Sequence, residues 1–139
     1  MSLVNTWCFT KTSFNWGKFV QATHNKYKVV GSRPYTDKKG VLPDGVTLTI
    51  QVIHDDFDYG VDKSGKPREN NELQNFDVTI LNSKVVAKKG DIVELSGFDE
   101  EHSTVVNFDI YLKFKDAKVI SSHQPAQNMA IHNASKTII

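Results

Sequence analysis

Aromatic rings and cations alternate through the first 40 residues of the chain. Trp7, Phe9, Phe14, Trp16, Phe19, Tyr27 and Tyr35 supply seven of its fourteen Phe, Trp and Tyr residues. Between them stand Lys11, Lys18, Lys26, Lys28, Arg33, Lys38 and Lys39, with Asp37 the single acid. Flat apolar rings set among cations suit an unpaired nucleic-acid strand. Bases stack on such rings at about 1–3 kcal/mol each, and the cations neutralise phosphates. A β-rich core fringed by solvated lysines has the same composition, and this window alone leaves both readings open.

Other chemistry finds less support. The run His54-Asp55-Asp56-Phe57-Asp58 is the densest group of acids. On a strand Asp56 and Asp58 share a face, where a Mg²⁺-dependent nuclease would hold its metal. The same run reads more simply as an acidic strand end passing into a loop. Its spacing fits no calcium loop, because the glycine comes too early and the closing Glu is missing. Cys8 is the single cysteine, so neither an intramolecular disulfide nor a Cys-rich zinc site can form. The five His residues show no framing motif, and no Gly-rich phosphate cradle is present. The sequence therefore predicts no catalysis, no metal and no cofactor.

The 139 residues, 39% hydrophobic and 24% charged, suit one globular domain in a reducing cytoplasm. No apolar run is long enough to cross a bilayer, and the first residues lack the pattern of a signal peptide. The formal charge of +1 conceals segregation. Residues 41–112 carry fourteen acids against six Lys and Arg, whereas residues 113–139 carry one acid against four. Such asymmetry suits a basic binding zone beside an acidic body.

The elements that must position these groups are strands. Residues 46–52 alternate Leu48, Ile50 and Val52 with Thr47, Thr49 and Gln51. Residues 76–80 repeat the pattern with Phe76, Val78 and Ile80, and residues 91–98 form a third strand. Residues 108–114 face Phe108, Ile110, Leu112 and Phe114 inward and Asp109, Tyr111 and Lys113 outward, followed by outward Lys115. Residues 118–120 continue that strand after a bend. Residues 18–22 and 26–30 are weaker strand candidates. No window predicts an amphipathic helix, residues 82–88 holding at most a helical turn. Two long loops are expected, at 31–45 and 59–74. Residues 121–139 read as a polar, flexible tail.

From residue 46 to 120 this order resembles the OB-fold single-stranded DNA-binding proteins of bacteria and phages, most closely the divergent phage or mobile-element type. An apolar strand at 48–53 leads into a basic, Gly-containing loop at 62–69. A return strand at 75–81, the segment Lys89-Gly90 to Gly97 and a long last strand at 108–120 complete the likeness, with residues 27–31 supplying the first strand. The resemblance implies an all-β, five-stranded OB-fold barrel over residues 1–120, with an N-terminal extension and the tail at 121–139. It implies sequence-independent binding of single-stranded DNA in replication or recombination, without enzymatic activity. Partners would be single-stranded DNA, further copies in a dimer or tetramer, and replication or recombination proteins. A phage-encoded protein would act in the host cytoplasm. The tail lacks the acidic tip by which cellular members recruit partners. A structural β-protein of a phage particle and an OB-fold RNA binder are the alternatives.

Carried onto this chain, the resemblance places Lys63, Lys66 and Arg68 of the long loop against phosphates, with Tyr59 and Phe57 before it as stacking platforms. Outward Tyr111, with Lys113 and Lys115 on the same face, forms a second cluster. In the N-terminal block Trp16, Lys18, Arg33 and Tyr35 are expected to meet the strand, while Trp7, Phe9 and Phe19 enter the core.

Overall fold

Alternating side chains pair up as the strand pattern requires. In the computed structural model, which describes residues 3–9, 14–106 and 109–122, β1 spans Tyr27–Tyr35, β2 Gly45–Val52 and β3 Asn75–Ile80. Then come β4 (Ile92–Phe98), β5 (Thr104–Val106) and β6 (Asp109–Ser121). β2 and β3 run antiparallel with Leu48 opposite Val78 and Ile50 opposite Phe76, so one face of both strands is apolar and buried. The other face carries Thr47 opposite Thr79 and Thr49 opposite Asp77.

β1 lies antiparallel along the other edge of β2, and its register slips by one residue between Val29 and Gly31. That bulge has a large consequence. Tyr27 and Val29 point into the core, yet Arg33 pairs with Thr47 on the outer face. In an unbroken strand residues 27, 29, 33 and 35 would all share a face. One extra residue turns the second half of β1 over.

β4 pairs with the start of β1 and with β6, and β6 runs parallel to β3 through Val78–Leu112, Thr79–Lys113 and Ile80–Phe114. The circuit β1-β2-β3-β6-β4 is thus closed, with β5 a short flap on β6. A five-stranded antiparallel barrel closed by one parallel pairing is the OB fold. The expected fold class is borne out.

The end of the barrel is plugged by an element that the strand reading conceals. Residues 18–22, read above as a strand, belong to a helix, α1 (Trp16–Thr23). Its first turn is capped by the Asn15 side chain, which accepts the Lys18 N–H at 3.0 Å. Phe19, Ala22 and Thr23 are buried at helical spacing. The Phe19 ring meets Phe9 edge-on at 5.1 Å, Phe76 at 5.7 Å and the face of Tyr27 at 6.5 Å. Residues 82–88 form turns rather than a helix. β1 runs on to Tyr35, so the loop expected at 31–45 shrinks to 36–44. The segment before α1 is fastened to the 59–74 loop, because the Asn71 amide accepts the Val4 N–H and donates to the Val4 carbonyl. Phe9 and Phe19 are buried as expected. The Trp7 side chain, Phe108 and the tail from residue 123 lie outside the described residues.

Gly45 opens β2 where a side chain has no room: a Cβ there would stand 1.9 Å from the Ile80 carbonyl oxygen. The Gly45→Ala variant is therefore expected to lose about 1–3 kcal/mol of stability, the usual cost of overpacking. Urea unfolding measures this, and an unchanged midpoint would show that β2 and β3 approach less closely.

Candidate nucleic-acid interface

The bulge in β1 and the parallel pairing of β6 bring together residues far apart in sequence. Across the outer face run Arg33 and Tyr35 from β1, Thr47 from β2, Asp77 and Thr79 from β3, and Tyr111 and Lys113 from β6. They line an open groove of about 810 Å³, with Thr36 and Lys38 of the β1–β2 loop at one rim and Asp109 at the other. This face, flanked by the loops after the first and fourth barrel strands, is the one on which OB folds hold oligonucleotides. Four of the expected site residues meet here: Arg33, Tyr35, Tyr111 and Lys113.

Each is held differently. Tyr111 is 53% exposed, because its neighbours Ile110 and Leu112 take the inward positions on β6. Its ring stands free on the sheet. Tyr35 is partly buried at the end of β1, and that burial, with the Asp37 carboxylate nearby, pushes its phenol up so that it stays neutral. The Arg33 guanidinium sits 3.2 Å from Asp77, whose other oxygen accepts the Thr49 hydroxyl at 2.6 Å. The Lys113 ammonium donates to the His102 carbonyl at 2.9 Å, tying β6 to the loop before β5. Lys38 sits exposed on a loop organised by Asp37, whose carboxylate accepts the N–H groups of Leu42, Val41 and Lys39. Those bonds, Leu42 first, hold the Asp37 carboxyl below the usual carboxylate range. The groove thus holds three cations against Asp77 and Asp109, between two accessible tyrosines.

The remaining expected residues lie elsewhere. Trp16 packs partly buried against the core, its ring edge-on to Phe114 at 4.7 Å and stacked on Phe98 at 6.0 Å, away from the groove lining. Lys18 reaches back from α1 to the Cys8 carbonyl and lies 4.8 Å above the Phe57 ring, an engaged cation. Phe57 itself packs against Phe9 and Tyr59. Tyr59 is 5% exposed and cannot stack on a ligand. Its hydroxyl donates to Asp55 at 2.7 Å and accepts from Asn71 at 2.9 Å, and burial together with the Asp55 bond drives the phenol pKa upward.

Lys63, Lys66 and Arg68 belong to a tight hairpin beyond the opposite end of β2 from the groove. There Val61 bridges Pro67, and Asp62 accepts the N–H groups of Ser64 and Lys66. Lys63 and Lys66 are exposed, while Arg68 donates to the Tyr59 carbonyl at 2.7 Å. Lys115 faces outward, its stem over Gly97, where an added Cβ would come within 2.7 Å. None of these four lines the groove.

The acid run at 54–58 does not form a strand, since β2 ends at Val52, and its carboxylates disperse. Asp55 is buried with Tyr59 and Asn71, Asp58 caps the Gly60 N–H, and Asp56 faces His24 and His54. Sequence reasoning misses Lys38, Asp77 and the threonine floor. The alternation at 46–52 and 76–80 already turns Thr47, Thr79 and Asp77 outward, but only the strand pairing makes them neighbours of Tyr111.

No protein-family profile matches the chain, and no curated protein does. Among solved structures it is similar to the second OB-fold domain of replication protein A from Methanococcus maripaludis. The identity is 17%, over 72% of this chain and 84% of that one, with a TM-score of 0.35. At that level of likeness, the assignment of the fold rests on the strand order and register.

Removing the Tyr59 hydroxyl should leave Asp55 and Asn71 short of a buried partner. Tyr59→Phe is expected to lose about 1–3 kcal/mol in urea unfolding. An unchanged stability would return Tyr59 to the candidates for a ligand surface.

Proposed function

We propose that the groove binds single-stranded DNA with little sequence preference. The observation that supports this reading most is the placement of Tyr111 and Tyr35 among Arg33, Lys38 and Lys113 in one open groove. Rings stack on any base, and the cations sit where a backbone would pass. The groove offers no framed nucleophile or acid–base pair, so the reading assigns it binding and no chemistry. Its volume lies in the range of about 300–1,000 Å³ usual for ligand clefts, enough to seat part of a strand while the rest follows the rims.

On this reading the protein covers single strands exposed during replication or recombination, as the resemblance to phage and mobile-element OB-fold proteins suggests. Assembly into a dimer or tetramer would join several such grooves into a longer track. Competition between DNA and RNA oligonucleotides separates this function from RNA binding. Assembly into large particles without DNA affinity would favour a structural role.

Anisotropy titration of a labelled oligo-dT tests the proposal. With about three phosphate contacts at a slope near −0.7 each, affinity should fall roughly 20-fold between 50 and 200 mM salt. Tyr111→Ala should weaken binding by about 1–3 kcal/mol, and Arg33→Ala should flatten the salt slope by about 0.7. The proposal fails if no binding occurs at low salt. It also fails if Tyr111→Ala is silent while Lys63→Ala with Lys66→Ala abolishes binding, which would move the interface to the hairpin.

A further inference from the structure

Beyond the groove, the junction between α1 and the segment leaving β2 gathers a set of groups that the binding function does not use. His24, His54 and Asp56 come from positions up to 32 residues apart, yet their ligand-capable atoms all lie within 4.8 Å of one another. Nε2 of His24 stands 2.8 Å from Oδ2 of Asp56, and Nε2 of His54 stands 3.6 Å from the same oxygen. The two imidazole rings are 4.2 Å apart. All three residues are exposed.

Two sets of bonds hold this arrangement from either side. His24 is the C-cap of α1 at φ 60°, and Asn25 follows at φ 53°, two left-handed residues in succession without a glycine. Backbone of that kind persists only where its surroundings fix it. Here the Asn25 amide donates to the Leu95 carbonyl at 2.9 Å and accepts the Leu95 N–H at 3.0 Å, locking the turn to β4. On the other side the Asp56 N–H donates to the Ala22 carbonyl at 3.1 Å, joining this segment to the last turn of α1. Its neighbour Asp55 is anchored in the buried cluster with Tyr59 and Asn71. The side chains of His24 and Asp56 therefore converge from two pinned stretches of backbone.

We infer that His24, His54 and Asp56 form a binding site for a zinc-class divalent cation, with the outward position left to water. Two imidazole nitrogens and one carboxylate oxygen are the donor set of open tetrahedral zinc sites, with bonds of about 2.0–2.2 Å. Tetrahedral bonds of that length hold donors about 3.3–3.6 Å apart. The observed separations, 2.8 and 3.6 Å to the Asp56 carboxylate and none above 4.8 Å, bracket this spacing. Mg²⁺ is excluded by the same chemistry, since it takes hard oxygen ligands and avoids imidazole. The site is separate from the groove: Val52, at its end of β2, lies about 17 Å along the strand from Thr47. Its role is to clamp the end of α1 to the segment leaving β2, and the ion stabilises the folded chain by mass action.

The test is calorimetric titration of the full-length, EDTA-stripped protein with Zn²⁺, with Mg²⁺ as control. Two variants keep the backbone: His24→Asn, since Asn tolerates the left-handed cap, and the exposed His54→Gln. Expected are one saturable Zn²⁺ equivalent, no response to Mg²⁺, and a melting temperature raised by several degrees in excess Zn²⁺. Each variant should bind Zn²⁺ at least about 10-fold more weakly with an unchanged circular dichroism spectrum, since even the loss of an outer-shell partner costs that much. Absence of a saturable equivalent would overturn the inference. So would an equivalent retained at full affinity in both variants, which would place the ion elsewhere.

Discussion

Three residue pairs between parallel strands hold the barrel shut: Val78 with Leu112, Thr79 with Lys113, and Ile80 with Phe114. Without them β3 would be the edge of an open meander, and Phe76, Val78 and Ile80 would have no opposite wall. Parallel pairing needs a long connection between its strands, and here it is the whole of β4, the turns before it and the β5 flap. The same three pairs do a second thing on the other face. They set Tyr111 and Lys113 beside Thr79 and Asp77, which creates the groove. Closure of the core and assembly of the candidate interface are therefore one event.

The core that this closure encloses is aromatic at one end and aliphatic along its length. Leu48, Ile50, Val52, Val78 and Ile80 line the wall, while Phe9, Phe19, Tyr27 and Phe76 meet at the plug. These rings meet in edge-to-face and stacked contacts, with centroids 5.1–6.5 Å apart. Tyr27 keeps its hydroxyl satisfied in that interior through Thr23, 2.6 Å away, and burial drives its phenol pKa upward. The N-terminal block that looks in sequence like a binding surface thus divides. Phe9, Phe14 and Phe19 join the core, while Lys28 and the end of β1 face outward.

What the sequence reveals of this is set by the range over which each feature acts. Alternation at 46–52, 76–80 and 109–114 is local, so the strands and the outward direction of Tyr111 and Lys113 can be read directly. The helix at 16–23 is masked because it is short and the adjacent Phe19 and Val20 favour a strand, although Phe19, Ala22 and Thr23 also fit helical spacing. The bulge between Val29 and Gly31 is marked locally by Gly31 alone, and without it the outward turn of Arg33 and Tyr35 cannot be derived. Tyr59 looks like a loop aromatic until Asn71 and Asp55 are seen to bury it. Long-range pairing decides each of these cases, and a single chain of letters does not record it.

The mutual amide clasp between Val4 and Asn71 joins positions 67 residues apart, so Val4 has no partner there until the 59–74 loop exists. During synthesis they leave the ribosome long before their partner. The plug residues Phe9 and Phe19 are in the same position, since Phe9 packs on Phe57 and Tyr59 and Phe19 on Phe76. In the growing chain the most aromatic stretch is therefore the one that waits longest for its site. While it waits, its rings are apolar surface of the kind that makes folding intermediates prone to aggregate.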